Sequence, residues 1–250
     1  MKIAIVTGGS RGLGKSMCLH LAAKGHGVLL TYRSKKAAAE DVCALVAKSG
    51  QKAVALQLDA GDSKTFGAFA ENVKRALRET WNRGDFDFLI NNAGMGFYAL
   101  FAQASEEQFD QLMNVHLKGP FFLTQKLLPL MKDGGRILNM SSGLARFSLP
   151  GYSAYAAMKG GIEVLTRYMA KELGARKIAV NVIAPGAIET DFGGGVVRDN
   201  KEMNSMIASS TALGRVGLPD DIGGAVAALL SDDCQWVNGQ RIEVAGGIFL

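Results

Sequence analysis

Tyr155 and Lys159 stand four residues apart in "SAYAAMKGGIEVLT" (residues 153–166), a stretch with the periodicity of an amphipathic helix. Four residues make about one helical turn, so both side chains leave the same face and a phenol can meet an ammonium there. A phenol held beside a cation is a candidate general acid. The spacing by itself is weak, because Tyr32 and Lys36 repeat it. The pair acquires meaning only if the chain builds a site around it.

A second stretch, "TGGSRGLG" (Thr7 to Gly14), follows directly on an apolar run and precedes a helical pattern. Glycines at 8, 12 and 14 let the backbone turn sharply and approach a pyrophosphate, whose charge the first amides of the next helix can bind. The spacing departs from G-x-G-x-x-G, whose third glycine would fall at Met17. An NAD site would place an acid on the adenosine ribose roughly 20 residues further on. The chain reads "TYRSKK" there, with Arg33, Lys35 and Lys36, and Arg11 in the glycine turn able to face the same place. Cations in place of an acid predict NADP(H).

The elements that must position these groups repeat one theme. Short apolar runs begin at "KIAIVT" (2–7), "GVLLTY" (27–32), "KAVALQL" (52–58), "FDFLIN" (86–91), "RILNMS" (136–141), "IAVNVIA" (178–184) and "QRIEVA" (240–245), with helix-length segments between most of them. They show little apolar/polar alternation, as strands buried on both faces should. The reading is α/β: a single-domain Rossmann-type doubly wound parallel sheet of seven strands with helices on both faces. The longest stretch without a clear period lies after the sixth run, and residues 188–215 are expected to form a substrate lid, disordered or variable until substrate arrives. Gly193 to Gly195 supply the conformational freedom.

Composition excludes several other classes. The chain has 250 residues, of which 48% are hydrophobic, so a well-filled core is expected. No apolar run nears the roughly 20 residues of a membrane span, which predicts no membrane association and a cytoplasmic protein. Cys18, Cys43 and Cys234 have neither disulfide nor zinc spacing, and His20, His26 and His116 sit in no ligand pattern, so no metal is assigned. The net charge of +5 is scattered rather than gathered in a block, which argues against nucleic acid and for small anionic molecules.

Six motifs in register, "TGGSRGLG", "NNAG" (91–94), "NVHLKG" (114–119), "SS" (141–142), "YAAMK" (155–159) and "NVIAPGAIETD" (181–191), resemble the short-chain dehydrogenase/reductase family over essentially the whole chain. The resemblance implies a catalytic set of Asn114, Ser142, Tyr155 and Lys159. Ser142 lies 13 residues before Tyr155, as in the family, which sets it apart from Ser141. It implies a cofactor site of Gly8, Ser10, Arg11, Gly12, Leu13 and Gly14 in the turn, and Tyr32, Arg33 and Ser34 after the second strand. Asp59 and Ala60 would meet the adenine, Asn91, Ala93 and Gly94 would line the crevice, and Pro185, Gly186, Ile188 and Thr190 would hold the nicotinamide end, with Tyr155 and Lys159 also touching the cofactor. In that scheme Tyr155 protonates a carbonyl oxygen, Ser142 polarises it, Lys159 lowers the phenol's pKa from about 10 and binds the ribose, and Asn114 anchors a water chain.

The implied activity is exchange of a carbonyl with a secondary alcohol on a small molecule. A 3-oxoacyl-[acyl-carrier-protein] reductase is the alternative, because Arg176 falls where such enzymes hold their acidic carrier, although Asp133 opposes it. A non-catalytic dinucleotide sensor is a third reading, against which the intact Ser, Tyr and Lys set speaks. The pocket is expected from Gly96, Phe97, Leu144, Phe147, Tyr152 and the lid from Phe192 onward, which favours a hydrophobic substrate, with Arg146 available to a carboxylate. Relatives of this length imply a homotetramer, with a dimer as the smaller alternative.

Overall fold

The computed structural model describes residues 1–250. Seven parallel strands form one sheet: β1 (Ile3–Val6), β2 (Gly27–Tyr32), β3 (Ala53–Gln57), β4 (Phe86–Asn91), β5 (Met131–Met140), β6 (Ala179–Pro185) and β7 (Arg241–Val244). Their spatial order is β3-β2-β1-β4-β5-β6-β7. The order reverses between β1 and β4, and a crevice must open beyond the carboxyl ends of those two strands. This is the Rossmann-type arrangement that the alternation of elements predicts. The strand at "RILNMS" starts five residues earlier than its apolar run, because Met131 pairs with Phe86 before a register shift brings Arg136 opposite Phe88.

Helices cover both faces. They are α1 (Gly12–Ala23), α2 (Lys36–Lys48), α3 (Phe66–Trp81), α4 (Glu106–Met113), α5 (Gly119–Leu127), α6 (Ser153–Glu172), α7 (Val196–Asp199), α8 (Lys201–Ser209) and α9 (Pro219–Leu229). Alternate residues of each strand feed opposite cores. Ala4 and Val6 join Met17, Leu21, Val42 and Val226 on the side of α1, α2 and α9. Ile3 and Ile5 join Phe66, Leu77, Leu123 and Val180 on the side of α3, α5 and α6. The absence of polar alternation in the strands therefore has its cause in burial on both faces.

A buried polar ladder sets the centre of the sheet. The Asn91 amide donates to Thr124 Oγ1 (3.1 Å) and Asn139 Oδ1 (2.8 Å), and the Asn139 amide donates to Thr166 Oγ1 (2.9 Å). It ties β4 and β5 to α5 and α6, and buried polar groups linked in this way admit few alternative packings. The stretch after β6 that lacks a readable period is folded here as α7 and α8, the latter capped by Asn200, whose Oδ1 accepts from the Met203 amide at 3.0 Å.

Candidate active site

Tyr155 and Lys159 sit in the first two turns of α6 and are buried, 8% and 5% exposed. Their shared face packs on the end of β5. Lys159 Nζ donates to the Met140 carbonyl at 2.6 Å and lies 5.4 Å from the centroid of the Tyr155 ring. Ser142 caps the short turn Gly143–Ala145, its Oγ accepting from the Leu144 amide at 3.2 Å. Tyr32 and Lys36, the same spacing elsewhere, have no such setting: Lys36 is an exposed partner of Glu40.

The protonation of the pair differs from the sequence expectation. Burial pushes the Tyr155 phenol well above its ordinary value, and the Ser142 hydroxyl is the group that pulls it back down. Burial also brings the Lys159 ammonium down to about 7. A neighbouring cation was expected to lower the phenol, but taking the charged form of each group out of water outweighs that attraction among the protein's own groups. The resting phenol is therefore neutral and carries the proton that an acid needs.

Asn114 begins a single π-helical turn, Asn114–Lys118, between α4 and α5, where the Gly119 amide donates to the Asn114 carbonyl. Such turns interrupt the regular ladder and often mark functional positions. The same turn carries His116, which sits in no ligand pattern in the sequence. It is 2% exposed, meets Tyr155 edge-on with ring centroids 5.2 Å apart, and its Nε2 lies 2.6 Å from the Met95 carbonyl. Burial first, then the charge of Lys159, lowers its pKa to about 3, so it stays neutral. The signal for it was only its place two residues after Asn114.

The positions that the resemblance assigns to a cofactor lie at the carboxyl ends of β1, β2, β3, β4 and β6. Gly8 and Gly12 adopt φ of +66° and +52°, in the left-handed region that favours glycine. A Cβ on Gly14 would stand 2.2 Å from the Gly8 carbonyl oxygen, so α1 begins hard against the turn. The N-terminus of α1 has no capping side chain and no acid in its first turn, which leaves its amides open to an anion. Ser10 and Leu13 are half-buried in this turn. Beyond β2, Tyr32 is half-buried against the α1 core, while Arg33 and Ser34 are exposed. Arg33 Nε lies 3.7 Å from Asp59 Oδ2, and Asp59 Oδ1 accepts from the Gly61 amide at 2.8 Å. Ala60 follows, its carbonyl against Gly119. Arg11 does not share this cluster: its guanidinium reaches 3.5 Å from Asp191 at the start of the segment after β6. This donor set, cations without a competing acid at Tyr32, fits a dinucleotide bearing a 2'-phosphate.

The inner wall of the crevice is tied to the turn. The Asn91 side chain is spent in the polar ladder, the Ala93 amide donates to Thr7 Oγ1 at 2.9 Å, and Gly94 packs against His116. Pro185 ends β6, Gly186 donates to the Val244 carbonyl, Ile188 bridges to Gly217, and the Thr190 side chain faces Gly12.

Over the phenol the walls are apolar. Phe192 lies 5.7 Å from the Tyr155 ring and covers Gly96, while Phe97, Leu112, Leu144 and Met158 pack around Tyr155. Tyr152 meets Tyr98. Two residues expected at the pocket face elsewhere. Phe147 packs on Gly143 and Phe249, and Arg146 is held by Glu243 at 3.0 Å and by the Ile248 carbonyl at 2.8 Å, so it is not free for a substrate carboxylate. No cluster of three or more His, Cys, Asp or Glu side chains is arranged to hold a metal ion, and no helix is long and apolar enough to cross a membrane.

A family model described as enoyl-(acyl carrier protein) reductase matches residues 8–248. The tetrahydroxynaphthalene reductase PfmaG of Pestalotiopsis fici is 34% identical, over 98% of this chain and 91% of its own. The hydroxynaphthalene reductase-like protein Arp2 of Metarhizium brunneum is 35% identical, over 98% and 94%. Among solved structures, the angucycline C-6 ketoreductase LanV with bound NADP superposes with a TM-score of 0.94 at 34% identity, covering 99% of this chain and 95% of that one. The reductase LugOII, which catalyses keto-reduction at C1 in lugdunomycin biosynthesis, superposes equally well at 35% identity, covering 100% and 98%.

Proposed function

Since this chain belongs to the short-chain dehydrogenase/reductase family and is an NADP-dependent oxidoreductase of carbonyl groups, we propose that it reduces a ketone on a flat, apolar, fused-ring substrate. The observation that carries this reading is the neutral, buried Tyr155 phenol beneath an aromatic and aliphatic canopy of Phe97, Phe192, Leu112 and Leu144. A polar or extended substrate would desolvate against these walls without return. The reductases of hydroxynaphthalenes and angucyclines that it resembles support the same substrate shape.

NADPH, when bound, supplies the hydride. The chain supplies everything else. The Tyr155 phenol gives its proton to the carbonyl oxygen, and the Ser142 hydroxyl orients that oxygen and favours the phenolate that forms. Lys159, anchored on Met140, holds the cofactor ribose and stabilises the developing phenolate. Asn114, in its π turn, anchors the water chain that returns the proton. The glycine turn and α1 amides cradle the pyrophosphate, Arg33 reads the 2'-phosphate while Arg11, drawn towards Asp191, adds less, Asp59 and Ala60 face the adenine, and Pro185 to Thr190 flank the nicotinamide.

In this reading the whole chain is one dinucleotide-binding and catalytic domain, and residues 188–215 act as its lid. Phe192 is the lid's contact with the phenol. Reduction of a carrier-bound acyl chain has less support, because Arg176 is engaged by Asp133 at 2.7 Å and by the Leu128 carbonyl at 3.0 Å rather than free for an acidic carrier. The working state is a cytoplasmic homotetramer. Exposed Phe109, Phe121, Val164 and Tyr168 on α4, α5 and α6 offer an apolar face for pairing, and the three free cysteines suit a reducing compartment.

The test is a panel of naphthol-derived and polycyclic ketones beside acyl thioesters, followed by NADPH absorbance. Turnover of the fused-ring ketones with little on the thioesters is expected. The reverse order overturns the substrate assignment. Sedimentation at micromolar concentration should show no lone monomer.

A further inference from the structure

Behind the serine turn runs a chain of alternating charges that the reduction chemistry itself does not require. Glu163, one turn after Lys159 on α6, accepts from Arg241 Nε at 2.7 Å, and Arg241 Nη1 donates to Glu243 at 3.1 Å. Glu243 pairs with Arg146, whose Nη2 ends on the Ile248 carbonyl. Two acids alternate with two guanidiniums, so the chain is neutral as a unit. The Glu163 and Arg241 side chains are only 16% and 24% exposed, where an unmatched charge is costly.

We propose that Glu163 and Arg241 are positioning residues that hold the Ser142 hydroxyl in line with Tyr155. Three successive residues at the end of β5 are fastened, and each fastening leads back to α6 or β7. Lys159 Nζ holds the Met140 carbonyl at 2.6 Å. The Ser141 hydroxyl donates to Glu163 Oε1 at 2.6 Å, the oxygen that Arg241 Nε also uses. Arg241 Nη2 donates to the Ser142 carbonyl at 3.4 Å. The helix that carries Tyr155 thus also carries the group that clamps the serine strand, so acid and orienting hydroxyl share one reference frame. Ser141, beside the orienting serine, is the clamp's handle.

The far end of the chain reaches the same turn by a second route. Phe249 packs on Phe147 with ring centroids 4.7 Å apart, and Phe147 fills the space over Gly143, where a Cβ would lie 2.7 Å from its ring. The C-terminal tail and the ion chain therefore brace the serine turn from opposite ends. A displacement of about 1 Å in such a group can cost on the order of a hundredfold in rate.

This inference rests on the assignment of Ser142 and Tyr155 above, and the experiment separates the two. Glu163→Gln keeps the shape and the acceptor for Ser141 but removes the charge that holds Arg241. With the ketone that wild type turns over fastest, kcat should fall about tenfold while KM and the NADPH Kd, read by nucleotide fluorescence, change less than about twofold. The alkaline limb of the reductive pH profile should move upward, because a misplaced Ser142 hydroxyl no longer lowers the phenol. The double variant Glu163→Gln/Arg241→Gln should be no slower than the slower single one, since both act through one path. If Glu163→Gln is insoluble, Arg241→Lys takes its place: it keeps a charge for Glu163, loses the reach to Ser142, and should show the same fall in kcat with intact NADPH binding. Unchanged kcat and pH profile, or a parallel loss of NADPH affinity, overturns the proposal. A Tyr155→Phe control that stays active sinks the underlying site assignment instead.

Discussion

Lys159 is 5% exposed with its ammonium on the Met140 carbonyl, whereas the Arg33 side chain, at the other end of the same crevice, is 70% exposed and 3.7 Å from Asp59. Both cations are assigned to one cofactor, yet they are built on opposite plans. At the reacting end the groups are buried, burial dominates their protonation, and Lys159 and Ser142 each have a main-chain partner. At the adenosine end, solvent screens each charge and several cations share one task. The first arrangement makes chemistry depend on single atoms. The second makes specificity graded.

Tyr155→Phe attacks the reacting end most directly. Turnover should fall by about a thousandfold or more, with NADPH affinity nearly intact, because only the proton donor is lost. Steady-state kinetics beside fluorescence titration checks it. Lys159→Ala should lower both, since that residue is proposed to hold the ribose as well; equal loss of binding in the two variants would erase the division of roles.

Arg33→Ala probes the graded end. A charge-assisted contact that is partly exposed predicts a tenfold to hundredfold fall in kcat/KM for NADPH, roughly, and little change for NADH. Tyr32→Asp should additionally improve NADH by supplying a ribose acceptor. Arg11→Ala should do less than Arg33→Ala, because Asp191 already competes for that guanidinium. If Arg33→Ala slows both cofactors equally, the loop does not read the phosphate.

Stability provides a gentler contrast. The folded pKa of Lys159, about 7, lies below its unfolded value near 10.4, so folding opposes its charge. That penalty is fully present below about pH 7 and fades as the pH rises towards the unfolded value. Lys159→Met should accordingly raise Tm by a few degrees, roughly, at pH 6 and converge with wild type near pH 10. Arg33→Met should show no such pH-dependent gain. The smallest effect belongs to the lid: protease cleavage within 188–215 should slow when NADPH and a ketone are both present, and unchanged cleavage would remove its role in closure.

Much of this was legible in the residues. The seven apolar runs map onto β1 to β7, and the Tyr155–Lys159 spacing placed two side chains on one face, because strand burial and helical phase are local properties of the chain. The glycine turn was legible for the same reason, since its backbone geometry follows from residue type. Less visible were α7 and α8, which follow three consecutive glycines and whose polar residues conceal a helix that Asn200 caps. Hidden altogether were the burial of His116 against Tyr155 and the capture of Arg146 by Glu243, partners 39 and 97 residues apart in the chain.

The sequence by itself determined the alternation of strands and helices, the glycine turn after the first strand, the cations in place of a ribose acid and the spacing that puts Tyr155 and Lys159 on one helix face. These depend on spacing and side-chain type over a few turns. Only the tertiary structure decided that Tyr155 is pushed up rather than down, that Arg11 turns to Asp191, and that Glu163 and Arg241, 78 residues apart, meet behind Ser142. Desolvation and ion pairing are sums over whatever the fold packs around a group, and those neighbours come from distant parts of the chain.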